Sequence, residues 1–145
     1  MHNIIRKLRP GALDNLGLSE TIRDTVSSWQ KQYENLKFTL KIKGEINDLG
    51  EVININIYRM IQESMNNALK HSKASEIIIT ISLLKKALKL EFYDNGVGFD
   101  KKILTNSKQF GLIGIKERVQ SLTGTFDLQT SPLNGTKLII LIPIR

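Results

Sequence analysis

Hydrophobic and polar positions change period several times along the chain, and each change marks an element. Ser19 can cap a helix start, and Ile22, Val26 and Trp29 then recur on one helical face, so a helix is expected from Glu20 to about Gln32. Upstream, Arg9-Pro10-Gly11 is expected to interrupt helical sequence, because proline biases the residue before it away from helix. Phe38, Leu40 and Ile42 alternate with Lys37, Thr39, Lys41 and Lys43, the period of a half-exposed strand. After a turn over Gly44 to Gly50, helical spacing returns from Glu51 to about His71. Ile77–Leu84 and Leu88–Tyr93 read as two strands joined through Lys85-Lys86-Ala87, hence an antiparallel hairpin. Residues 94 to 110 are polar and glycine-bearing with little periodicity. Leu112 to Leu122 is expected to be a short helix, and Phe126–Thr130 and Thr136–Ile142 a last pair of strands.

Strands that are mostly hairpin-linked, rather than alternating with helices, predict an α+β fold. The expected form is a two-layer α/β sandwich, with a mixed, mostly antiparallel sheet covered on one face by helices. A chain of 145 residues suits one domain with a short appendage. With 41% apolar and 24% charged residues it has an ordinary globular composition, which argues against disorder. No cysteine is present, which excludes a disulfide framework, a thiolate metal site and a cysteine nucleophile. With two histidines, His2 and His71, a multi-histidine metal site is not expected. No apolar run approaches the roughly 20 residues that span a bilayer, and the N-terminus lacks the apolar stretch of a secretory signal, so a cytoplasmic setting is expected. The net charge of +7 favours anionic partners, whether nucleic acid, an acidic protein or a nucleotide polyphosphate.

Four stretches could carry chemistry. On the helix through Glu63, Asn67 and Lys70 share one narrow face with it, while Ile57, Ile61, Ser64, Met65 and Ala68 form the opposite, apolar side. A carboxylate, an amide and an ammonium on one face read either as a solvated face or as a metal-phosphate site, where an amide oxygen suits Mg²⁺. Asp94 to Asp100, DNGVGFD, follows a strand directly. Its closely spaced glycines read as a tight turn or as backbone open to a flat ligand, with Asp94 placed to accept from a base amino group. Gly111 to Val119, GLIGIKERV, places glycines where a helix opens, a hinge or a phosphate-facing dipole end. Asn134-Gly135-Thr136 precedes the last strand. The dinucleotide fingerprint, the P-loop and the EF-hand do not fit the spacing.

Taken in order, E-x-x-x-N on a helix, a hairpin, DxGxG, a polar loop, GLxG and GT resemble the GHKL ATPase domain of bacterial sensor histidine kinases, from about Leu36 to Ile144. Leu8 to Ile22, LRPGALDNLGLSETI, resembles the LRPxxLDxLGLxxAL segment that joins the dimerisation helices to this domain in the subgroup that senses nitrate, hexose phosphate or lipid fluidity. The resemblance divides the chain into residues 1–18, dimerisation helix end and linker, and residues 19–145, the ATP-binding domain. It implies that Asn67 holds Mg²⁺, with Asn66 beside it, and that Glu63 orients or deprotonates the accepting group. Lys70 and His71 would lie near the phosphates. Asp94 would accept from the adenine amino group, with Gly96 and Gly98 shaping the base pocket. Gly111, Leu112 and Gly114 would bound a lid running from about Phe99, in which Lys101, Lys102 and Lys108 either close on phosphates or are simply solvated. Thr136 would lie near the adenine.

The implied activity is transfer of the γ-phosphate of Mg-ATP to a histidine of the dimerisation domain, in two-component signalling. A response regulator with a helix-turn-helix output domain is the implied partner, and a homodimer the implied parent. No motif resembling RxLHD occurs in the chain, so the acceptor histidine is expected elsewhere and this piece is expected to be a monomer. An anti-sigma-factor serine kinase is the enzymatic alternative, but it lacks the LRPxxLDxLGL segment. A basic nucleic-acid-binding module or a catalytically idle interaction domain are the others. Direct nucleic-acid binding is not expected, since the lysines are scattered and no aromatic-basic motif is present.

Overall fold

The computed structural model of the chain describes residues 10–71, 73–96, 109–130 and 135–144, with side chains described at all of these except 10–16, 70, 71 and 109–111. Among the described residues eight elements follow one another: α1 (Pro10–Gln32), β1 (Lys37–Lys43), α2 (Glu51–His71), β2 (Glu76–Leu83), β3 (Ala87–Asp94), α3 (Gln109–Ser121), β4 (Thr125–Thr130) and β5 (Thr136–Pro143). The five strands form one sheet in the order β1-β2-β3-β5-β4. β1 runs parallel to β2, with α2 as the crossover, and every other neighbouring pair is antiparallel. The helices pack on one face of this sheet and on each other, so the expected two-layer α+β sandwich is the observed architecture.

Alternation decides which face is which. Ile77, Ile79 and Ile81 of β2, Leu88, Leu90 and Phe92 of β3, and Leu138, Ile140 and Ile142 of β5 are all buried on the helix side. The register sets them in rows across the sheet: Ile79 beside Phe92 beside Leu138, and Ile81 beside Leu90 beside Ile140. Removing each such side chain from water stabilises the fold by about 1.5–3 kcal/mol. From above, α2 supplies Ile57, Met60, Ile61, Met65 and Ala68 at helical spacing, and α3 supplies Leu112, Ile115 and Val119. The odd-numbered positions of β3, Lys89, Glu91 and Tyr93, lie on the open face, where Glu91 sits 4.0 Å from both Lys89 and Lys137.

α1 takes in Pro10 and Gly11, while Arg9, the first residue of the expected interruption, lies outside the described residues. Within α1 a kink that the sequence reading did not place falls at Gly17, with φ of 81° and ψ of 163°. Ser19 is not the cap. Its own N–H donates to Asn47 Oδ1 at 3.0 Å, a cap delivered from the β1–α2 turn. Beyond the kink, Leu18, Ile22 and Val26 join the core. Tyr58 Oη lies 2.9 Å from Thr25 Oγ1, and the Thr25 hydroxyl donates to Thr21 O at 2.8 Å, so the tyrosine is the donor that ties α2 to α1. Among the described residues no helix is long and apolar enough to cross a membrane.

Candidate nucleotide site

Asp94 is the last residue of β3 and only 4% exposed. Strand alternation puts it on the helix side of the sheet, in series with Leu90 and Phe92. The turn that follows fixes its carboxylate: Gly96 N–H donates to Asp94 Oδ1 at 2.9 Å, and Gly96 is itself buried. The backbone thus holds this buried carboxylate in place at the strand end. The intervening Asn95 has a structural task. Its Oδ1 accepts from the N–H groups of Ser75 and Glu76, each at 2.9 Å, and its Nδ2 donates to Ser75 Oγ at 3.0 Å. Asn95 thus clips the end of β3 to the start of β2 while Asp94 faces inward.

Across the sheet Asp94 pairs with Thr136, so their side chains share the helix side. Thr130 Oγ1 donates to Gly135 O at 3.0 Å and lies 3.0 Å from Thr136 Oγ1. With the one Thr130 proton on Gly135 O, Thr136 is the donor of that pair, and its oxygen retains lone pairs for an outside donor. Gly135 has φ +76°, and a Cβ there would stand 2.5 Å from Asp94 O. Glycine is therefore what lets the Gly-Thr segment lie against the Asp94 backbone.

The remaining candidate residues lie on α2 and α3, which pack on each other. Glu63 and Asn67 lie one turn apart on α2, both half-buried. Glu63 has a partner that sequence spacing did not reveal. Arg118 Nε donates to Glu63 Oε1 at 3.1 Å, and Arg118 Nη1 donates to Asn56 Oδ1 at 3.2 Å. Gly114 lies inside α3, not at its opening, and a Cβ on it would come within 2.9 Å of Glu63 Oε2. Its small size thus serves the approach of the two helices. Leu112 is a core side chain. Gly111 belongs to the first turn of α3, and Lys70 and His71 end α2. Asn66 is exposed. Gly98 and the lysines 101, 102 and 108 lie outside the described residues.

A shallow cavity of about 220 Å³ lined by Ile78, Thr80, Glu91, Tyr93 and Lys137 opens on the helix-free face. It lies on the opposite side of the sheet from Asp94 and Thr136, so it is not part of this arrangement.

The structure thus holds a buried, backbone-anchored carboxylate at a strand end with a Gly-Thr segment beside it, and a Glu-x-x-x-Asn helix packed against α3. Residues 53–145 match the family of histidine kinase-, DNA gyrase B- and HSP90-like ATPases. The chain belongs to that ATPase family. Among its relatives, the signal transduction histidine-protein kinase/phosphatase DegS of Brevibacillus brevis is 37% identical over 99% of this chain, which spans 37% of the length of that protein. The fold is that of solved histidine kinase catalytic domains. The histidine kinase domain of the Erythrobacter litoralis EL346 blue-light activated kinase superposes with a TM-score of 0.72 at 18% identity, covering 88% of this chain and 61% of that one. The catalytic domain of histidine kinase ThkA gives 0.68 at 16% identity, covering 88% and 94%. All of the candidate residues from Glu63 to Thr136 fall within the matched segment.

Among the described residues no three His, Cys, Asp or Glu side chains are grouped to hold a metal. A single amide oxygen, that of Asn67, fits a Mg²⁺ that keeps several waters and arrives with phosphates.

Proposed function

We propose that this chain is the Mg-ATP-binding catalytic domain of a sensor histidine kinase, working in the cytoplasm where ATP is at hand. The observation that carries this reading is Asp94: a buried carboxylate at the end of an inward-facing strand, anchored by Gly96 N–H, an acceptor of the kind that meets an exocyclic amino group of a purine. Thr136 beside it offers a second acceptor. On the helical wall, Asn67 would hold the Mg²⁺ that accompanies the nucleotide, and the metal would screen the charge of the phosphates. Lys70 and His71, at the end of the same helix, would meet phosphate charge from the side.

The chemistry asks for positioning and charge neutralisation more than for covalent help. One imidazole nitrogen of an acceptor histidine, on a dimerisation helix, would attack the γ-phosphorus. The P–N bond forms as the bond from phosphorus to the bridging oxygen breaks, and ADP leaves with that electron pair. The proton on the other imidazole nitrogen would pass to Glu63, which earlier orients the ring. The products are phosphohistidine and ADP, and the phosphoryl group would go on to a response regulator with a helix-turn-helix output domain. The parent would be a homodimer. Residues 1–18 would be the end of the dimerisation helix and the linker, leading into an ATP-binding domain over residues 19–145. The similarity to DegS supports this assignment.

Asn67→Ala tests the metal assignment. In calorimetric titration the unaltered chain should bind an ATP analogue more tightly with Mg²⁺ than without it, and the variant should lose most of that difference. Equal Mg²⁺ dependence in both proteins would remove Asn67 from the metal role.

A further inference from the structure

We infer that Arg118 is a positioning residue for Glu63, so that α3 sets the orientation of the general base on α2. The inference rests on the role proposed for Glu63. The two side chains are each only 30% exposed, so water competes for them less than on an open surface. Arg118 does not merely neutralise. Its planar fork reaches two oxygens on one face of α2, Glu63 Oε1 at 3.1 Å and Asn56 Oδ1 at 3.2 Å, two turns of helix apart. Two separated anchor points fix the guanidinium plane, and the plane then fixes the direction of the Glu63 carboxylate.

Gly114, one turn before Arg118 on α3, bounds the other carboxylate oxygen, since a Cβ there would lie 2.9 Å from Glu63 Oε2. Oε1 is thus tied and Oε2 confined, both from α3. A base must present its oxygen within hydrogen-bond reach of the proton it takes. A carboxylate on a long, rotatable stem does this only when its rotamer is held from outside.

The test is a double-mutant cycle in the full-length kinase carrying this domain, read as single-turnover autophosphorylation at varied Mg-ATP. Arg118→Ala should slow the step by about tenfold or more while leaving the KM for ATP within about twofold, because orientation of the base is lost and nucleotide contacts are not. Glu63→Gln should slow it at least as much. Glu63→Gln combined with Arg118→Ala should be no slower than Glu63→Gln alone, since an arginine acting through Glu63 has nothing left to act on. Should Arg118→Ala fail to fold, Asn56→Ala removes only the outer anchor of the fork and is expected to slow transfer at unchanged KM. A double variant slowed by the product of the two single effects would overturn the inference, as would a rise in KM at unchanged rate. A wild-type rate in Glu63→Gln would instead overturn the role of Glu63 itself, and the two failures are thereby distinguished.

Discussion

Gly135→Ala puts the geometry around Asp94 under direct stress. At φ +76° an alanine would occupy left-handed backbone, at a cost of roughly 1–2 kcal/mol. Its Cβ would also meet Asp94 O at 2.5 Å and the Asn95 Cα at 3.3 Å. Non-bonded heavy atoms settle near about 3.5–4.0 Å, so the two segments must part by an ångström-scale shift. The obstacle is backbone on both sides, with no flexible side-chain end to yield. Together the two effects should destabilise the fold by about 2–4 kcal/mol. The displacement falls on Asp94 and its cross-strand partner Thr136, so nucleotide affinity should fall by about tenfold or more, equivalent to at least about 1.4 kcal/mol. Gly50→Ala is the matched control, with φ +101° but nothing within 4 Å of the added atom. It carries backbone strain without the clash and should bind nucleotide like the unaltered chain. Urea unfolding measures the stability of each variant, and calorimetric titration with Mg-ADP measures binding. If Gly135→Ala binds Mg-ADP as tightly as Gly50→Ala, the reasoning that ties Gly135 to the position of Asp94 is wrong.

Tyr58→Phe should cost about 1 kcal/mol, the net worth of the hydrogen bond to Thr25. Burial, reinforced by Asp24, raises the Tyr58 pKa above its ordinary value. The folded chain therefore keeps the phenol proton to higher pH than the unfolded chain. This contribution to stability is intact below about pH 10, the unfolded value, and declines as pH rises through the folded value. Thermal unfolding from pH 8 upward should show a smaller alkaline loss in Tyr58→Phe than in the unaltered chain, and equal losses would contradict the assignment. Asn95→Ala removes the clip between β3 and β2 and should destabilise by about 1–3 kcal/mol, because several hydrogen bonds end on one amide. Its amide exchange should accelerate first at Ser75 and Glu76, and uniform acceleration across the sheet would argue against a local clip.

Much of this architecture was legible because local pattern and global fold agree. The alternation of Ile77, Ile79 and Ile81, and of Leu88, Leu90 and Phe92, encodes both the strands and the face that turns inward. The spacing of Ile57, Ile61, Met65 and Ala68 does the same for α2. The burial of Asp94 was legible too, because it ends an inward-facing series at a glycine-bearing turn. What stayed hidden depends on distant partners. Ser19 has the chemistry of a cap, yet Asn47, 28 residues away, caps the helix in its place. Glu63 reads as one member of a polar helix face, but Arg118 meets it from 55 residues further on. Gly114 reads as part of a helix opening, and only the packing of α3 on α2 shows that it makes room for a carboxylate. Asn95 sits in a dipeptide common in turns, and its bonds to Ser75 and Glu76 exist only once the sheet has formed.

The central claim is that Asp94 anchors a purine nucleotide at the helix side of the sheet. Calorimetric titration of ADP and a non-hydrolysable ATP analogue, with Mg²⁺, into the unaltered chain and Asp94→Asn tests it most directly. Asparagine keeps the shape but replaces one acceptor oxygen with a donor. The account predicts saturable binding by the unaltered chain and an affinity lower by about tenfold or more in the variant. Equal affinity in both proteins, or no binding to the unaltered chain at millimolar nucleotide, would contradict it.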